Sequence, residues 1–142
     1  MSNCTFCAIL AGKLPVSTVY QDETCAVFMD IRPVNSGHVL VIPKQHVASL
    51  AEMDENTGGH LFAIGQRVAA ALRQSGIRCE GVNFFLADGE SAGQEVFHVH
   101  LHIFPRYAGD GFGLHFGPQY DKRPSRAELD AAAEKIGLKI RP

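Results

Sequence analysis

The sequence predicts an α+β fold, an antiparallel sheet with one main helix and a short C-terminal helix lying on one side of it. Three observations predict it. Short β-branched and aromatic runs follow one another with only turn residues between them. One long segment between two groups of such runs repeats its apolar residues at helical spacing, and a helix-start pattern stands near the end.

Taken in order, Val16 to Tyr20 and Thr24 to Met29 read as a hairpin around the polar Gln21-Asp22-Glu23. HVLVIP, His38 to Pro43, reads as a strand entered through Asn35-Ser36-Gly37 and stopped by proline. From about Asp54 to Ser75, Leu61, Ile64, Val68 and Leu72 share one helical face, and Gly76 supplies a stop. Val82 to Leu86 and Phe97 to Phe104 read as two more strands joined by the turn-rich ADGESAGQ. Ser125 and Glu128 form a capping box for a short helix reaching Ile136, with Gly137 behind it. Neighbouring strands with a helix between two groups of them give the α+β class.

A chain of 142 residues, 46% hydrophobic, fits one domain spanning 1–142 with a real core. Its formal charge of -2, with basic residues scattered, argues against duplex nucleic acid or an acidic membrane as partner and favours a small substrate. No apolar run approaches the roughly 18 residues of a spanning helix, and MSNCTFCAILAGKLP lacks a basic leader with a cleavable hydrophobic segment. A cytoplasmic protein is expected. Cys25 and Cys79 stand alone as small buried hydrophobes, whereas Cys4 and Cys7 form C-x-x-C.

The stretch GQEVFHVHLHIFPR carries the chemistry. Side chains alternate along a strand, so His98, His100 and His102 share one face while Val99, Leu101 and Ile103 turn to the core. Two uses of aligned imidazoles stand open: presenting two rings to a metal, with another ligand from elsewhere, or nucleophilic catalysis. A neutral imidazole attacks well near pH 7 when one ring nitrogen is held by a hydrogen bond and the other presents its lone pair. Gly89 and Gly93 in the preceding loop can aim backbone N–H groups at an anion, which suggests a phosphorus-centred substrate.

HVHLHIF, His98 to Phe104, resembles the H-x-H-x-H-x-x signature of the histidine triad nucleotide hydrolases and transferases. FMDIRPVNSGHVLVIPKQHV, Phe28 to Val47, is similar to that family's nucleotide-binding half. The resemblance implies a HIT-like fold, a homodimer whose subunits join their sheets, and a purine nucleotide substrate. It implies release of AMP or GMP from phosphoramidate, acyl or polyphosphate linkages through a nucleotidyl-histidine intermediate. A zinc- and nucleotide-binding module without turnover is the alternative.

By position, the resemblance makes His100 the nucleophile. His102 is expected to help fix that ring through its own backbone carbonyl, His38 to support the network, and His98 to stand near the leaving group as proton donor. Asp30 would take the ribose hydroxyls and Ile31 pack against the base, with Phe28, Gly93, Gln94 and Val96 completing the nucleotide site. A carboxylate suits a vicinal diol, although Asp30 is also a turn-former before Pro33 and Ile31 an ordinary core residue.

Two positions depart from the family pattern. Ala87 stands where close relatives carry an amide side chain, and Glu95 where several carry a small hydroxyl that donates to phosphate. Glu95 is expected to turn away, leaving Gln94 and backbone N–H groups as the donors. His60, on the long helix, reads as a surface residue, and nothing in the sequence decides the role of His115 in GFGLHFGP.

For Cys4 and Cys7 a redox dithiol, plain packing and zinc are open. A redox pair would open the helix of a βαβ unit, and none is read here. Two cysteines need two more ligands for a tetrahedral zinc site. Relatives that hold zinc combine C-x-x-C with histidines matching His46 and His98, so the resemblance implies a structural zinc on Cys4, Cys7, His46 and His98. A zinc-bound His98 could not also protonate a leaving group.

Overall fold

Five strands, β1 (Thr18–Gln21), β2 (Cys25–Met29), β3 (Val39–Pro43), β4 (Gly81–Phe85) and β5 (Leu101–Arg106), pair antiparallel in the order β1-β2-β3-β5-β4. They belong to a computed structural model that describes residues 3–142. The α+β class and the antiparallel sheet are as the sequence predicts.

The pleat divides the core in two. Cys25, Val27, Val39, Val41, Leu101 and Ile103 point to one face, where helix α2 (Glu55–Gln74) lays Leu61, Ile64, Val68 and Leu72 against them. Asp54 caps α2 by accepting the Thr57 N–H. Gly65 lets the helix approach the sheet, since a Cβ there would stand 2.8 Å from the Phe84 ring. Ala26, Phe28, Leu40 and Ile42 point to the other face, where Phe6 packs edge-on against Phe28 at 5.6 Å.

Phe6 belongs to helix α1 (Thr5–Leu10), which the sequence reading lacks. The helices of this sheet therefore lie on both faces, not on one. Six residues are too few for apolar periodicity to register. The local signal is at Cys4, whose sulfur accepts the Cys7 N–H as the helix cap.

The strand read over Phe97 to Phe104 instead starts at Leu101 and runs to Arg106. The ladder with β3 begins at the Val41–Leu101 pair. Farther along β3, Pro43 has no N–H to donate and its carbonyl is taken by the His98 ring. His98 and His100 thus sit in the lead-in to β5, but the alternation survives: both rings contact Phe6, while Val99 is buried.

The chain divides into two compact units, Met1–Gly111 and Phe112–Pro142. The second contains α3 (Arg126–Gly137), started by the expected Ser125–Glu128 capping box, and a stacked Phe116–Tyr120 pair at 3.9 Å. Gly137 ends α3 rather than following it, and Leu138 is its C-cap.

Candidate active site and metal centre

β3 and β5 are neighbours, which brings His38, at the mouth of β3, against His102 within β5. The Val34 N–H donates to His38 Nδ1 at 2.9 Å, so the proton of a neutral His38 sits on Nε2. That Nε2 lies 2.9 Å from His102 Nδ1 and donates to it. His102 then carries its proton on Nε2. Asp30 Oδ1 accepts the Arg32 N–H at 2.8 Å, while Oδ2 lies 3.5 Å from His38 Nε2 and 3.8 Å from His102 Nδ1. Asp30 is both a turn-former and a carboxylate facing the histidines.

His100 is buried, and its Nδ1 lies 2.8 Å from the His98 carbonyl. A carbonyl only accepts, so Nδ1 holds the proton and Nε2 presents its lone pair. The carbonyl that fixes this ring is that of His98, not that of His102 as the resemblance implied. Burial pushes the His100 pKa below its ordinary value of 6.5, against the opposing charges of Asp30 and Glu95. Burial, then the neighbouring His100 and His38, hold His102 down at about 4. Both rings are therefore neutral at pH 7, the state in which an imidazole can act as a nucleophile or as a single-proton donor.

His98 is tied in the opposite sense. Its Nε2–H donates to the Pro43 carbonyl at 2.8 Å, and its Nδ1 lies 3.5 Å from Cys4 Sγ and 3.7 Å from Cys7 Sγ. His46 Nδ1 approaches Cys7 Sγ at 3.3 Å. One donor atom from each of Cys4, Cys7, His46 and His98 falls within 4.8 Å of the other three. Two sulfurs and two imidazole lone pairs, with His98 braced from behind by a backbone carbonyl, fit a structural zinc site. Burial and the neighbouring Cys4 raise the Cys7 pKa, a bias that a bound cation would reverse.

This geometry corrects the proton-donor role expected of His98. The residue is 0% exposed and both ring nitrogens are engaged away from His100. C-x-x-C does open a helix, with Cys4 as the N-cap of α1 and Cys7 within it, but that helix leads into the antiparallel β1–β2 hairpin and not into a βαβ unit.

The phosphate-donor reading of Gln94 is also overturned. Its side-chain amide donates to the Ala48 and Val96 carbonyls, its Oε1 accepts the Gly89 N–H, and its own N–H is spent on the Gly89 carbonyl. Gln94 is the internal brace of the glycine loop. The Gly93 N–H is used too, on Glu90. Among the described residues, the N–H groups of Glu95 and Val96 have no hydrogen-bond partner. The Glu95 carboxylate pairs with Arg32 at 3.0 Å, both side chains largely exposed, so it does turn to another charge.

Ile31 is 94% exposed, so it is no core residue. Phe28 is buried beneath Phe6, with Val96 packed on the same cluster; together they make a floor and not an open wall. Ala87 is buried. His60 is not a bystander, since its Nε2 lies 2.7 Å from Asp22 Oδ2. His115 is exposed within the second unit. No helix among the described residues is long and apolar enough to cross a membrane.

Comparison with known proteins gives a match to the HIT domain over residues 11–109. A Streptococcus mutans crystal structure, 40% identical, superposes with a TM-score of 0.89 and covers 99% of this chain and 87% of its own. A zinc-bound histidine triad family protein from Mycobacterium smegmatis is 38% identical, with a TM-score of 0.76 over 98% of this chain and 99% of its own. Adenosine 5'-monophosphoramidase of Schizosaccharomyces pombe is 33% identical over 140 residues, 98% of this chain and 99% of that protein.

Proposed function

The chain belongs to the HIT domain family, and from that premise we propose that it is a nucleotide-binding hydrolase that releases a purine nucleoside monophosphate from an amine, acyl or phosphate leaving group through a nucleotidyl-His100 intermediate. The observation that carries the reading is the His100 ring: buried, neutral, its Nδ1–H held by the His98 carbonyl and its Nε2 lone pair unspent. The phosphoramidase from Schizosaccharomyces pombe supports an amine as leaving group.

In this reading Asp30 accepts the ribose hydroxyls on Oδ2 and Ile31 covers the base. His100 Nε2 attacks the phosphorus, and the bond to the leaving group breaks with its electron pair. The leaving group takes its proton from solvent, or departs already protonated, because the one ring proton of His98 is spent on the Pro43 carbonyl. His102, whose ring centre is 4.8 Å from that of His100, donates from Nε2 to a phosphoryl oxygen, and the N–H groups of Glu95 and Val96, unspent among the described residues, are further donors for the same charge. Water then attacks the phosphorus, the P–N bond returns its pair to Nε2, and the proton of the water passes to solvent.

Cys4, Cys7, His46 and His98 would hold a zinc ion, which the zinc-bound relative supports. These four residues come from the start of α1, the segment after β3 and the lead-in to β5, and a bound zinc ion would tie those three segments together. Chain 1–142 is proposed to work as one domain in the cytoplasm and to dimerise through the β4 edge of the sheet, where Phe85 is 44% exposed and Phe62 of α2, packed on Phe84, is 54% exposed. The test is incubation of purified protein with adenosine 5'-phosphoramidate and separation of the products. Catalytic AMP release is expected; its absence with this and with acyl and polyphosphate substrates would reduce the protein to a binding module.

A further inference from the structure

On the α2 face of the sheet, at the hairpin end of β2, a second group of donors converges. Asp22, in the β1–β2 turn, is set by two backbone bonds: its Oδ1 accepts the Thr24 and Cys25 N–H groups, each at 2.8 Å. Its Oδ2 takes the His60 ring from α2 at 2.7 Å and the Tyr20 hydroxyl at 3.2 Å. Cys25 follows at the start of β2 with its side chain turned to the same helix. One donor atom from each of Asp22, Cys25 and His60 lies within 4.8 Å of the other two.

We propose that Asp22, Cys25 and His60 form a second binding site for a divalent transition-metal ion of the zinc type, back to back with the Cys4, Cys7, His46 and His98 cluster across the sheet. A carboxylate, a thiolate and an imidazole make a three-ligand set that suits zinc and leaves a fourth position for water or the Tyr20 hydroxyl. The Asp22–His60 pair alone would brace the hairpin to the helix, but that brace is complete without the sulfur. Cys25 supplies the soft third donor.

Burial, and then the Asp22 charge, push the Cys25 thiol up to about 11. A metal ion would reverse both effects, driving the thiol proton into solvent and replacing the proton that His60 shares with Asp22. The two clusters are linked through β3. Cys25 pairs with Pro43, and the Pro43 carbonyl holds the His98 ring of the first cluster. Occupancy of the second site would pin the hairpin to α2 without touching His100.

The test uses chelator-treated protein titrated with cobalt(II), read by the thiolate-to-cobalt charge-transfer band and by equilibrium dialysis. Wild type should take up two equivalents, the second more weakly. Cys25→Ala and His60→Gln, which leave the first cluster intact, should each retain one equivalent, with at least about tenfold weaker uptake of the other. Cys4→Ser/Cys7→Ser, if folded, should still bind one cobalt with a thiolate band that Cys25→Ala removes. A wild type that stops at one equivalent, or a stoichiometry that neither Cys25→Ala nor His60→Gln changes, would overturn the site. Neither result bears on AMP release, so failure here is distinct from failure of the nucleotide reading.

Discussion

His98 and His100 are two residues apart, both buried, and each is tied to a main-chain carbonyl at 2.8 Å, yet they face different chemistries. His98 gives Nε2–H to Pro43 and turns Nδ1 to two sulfurs. His100 gives Nδ1–H to His98 and keeps Nε2 for an electrophile. The residue type is the same and the face is the same. What differs is which nitrogen the backbone takes, and in the proposed function that choice leaves one ring free for a metal ion and the other for attack on phosphorus.

The largest effect should come from removing the attacking lone pair. His100→Asn is expected to lower kcat for adenosine 5'-phosphoramidate by at least about 1000-fold while AMP binding, followed by titration calorimetry, survives. Turnover close to wild type would place the nucleophile elsewhere and break the division at its catalytic half. Its metal half breaks differently. Cys4→Ser/Cys7→Ser should lose about one zinc per chain by elemental analysis and melt at least about 5 °C lower, with kcat of the folded fraction kept within about tenfold. A zinc-free wild type of unchanged stability would return these cysteines to plain packing.

A smaller effect sharpens the nucleotide side. In the proposed reading Asp30 Oδ2 accepts the ribose diol, so AMP should bind about tenfold more tightly than dAMP, and Asp30→Ala should remove most of that preference. Equal affinities in wild type would take Asp30 out of the ribose site. The smallest effect is in pH. The proposed reaction needs neutral His100, whose pKa is lowered by burial, so the acid limb of kcat/KM should fall below pH 6.5 and not at it. His102 folds with a pKa of about 4. The unfolded chain therefore binds more protons below 6.5, and stability should decline as pH falls from 6.5 toward 4. Melting temperatures that rise over that interval would contradict the burial of neutral rings.

Much of this was legible in the residues. Alternation in HVHLHIF placed His98, His100 and His102 on one face, and the spacing of Leu61, Ile64, Val68 and Leu72 placed α2. The proposed zinc ligand set, Cys4, Cys7, His46 and His98, was legible only through the family resemblance. Other parts were hidden for physical reasons. Helix α1 is six residues long and capped by a sulfur, which no periodicity reveals. The ring tautomers depend on the Pro43 and His98 carbonyls, and a carbonyl belongs to every residue, so composition carries no trace of it. Gln94 was read as a donor because its type permits it; burial under three carbonyl and N–H partners cancels that freedom. The Asp22–His60 contact joins a turn to a helix 38 residues away, and neither residue stands in a motif.

The central claim is the opposed tethering of two neighbouring rings, and two-bond ¹⁵N–¹H correlation spectra of histidine-labelled protein, assigned with His98→Gln and His100→Asn, read it directly. The account predicts a neutral His100 protonated on Nδ1 and a His98 protonated on Nε2, its Nδ1 shifting when zinc is added while the His100 pattern holds. A His100 protonated on Nε2, or rings of like tautomer at both positions, would contradict it.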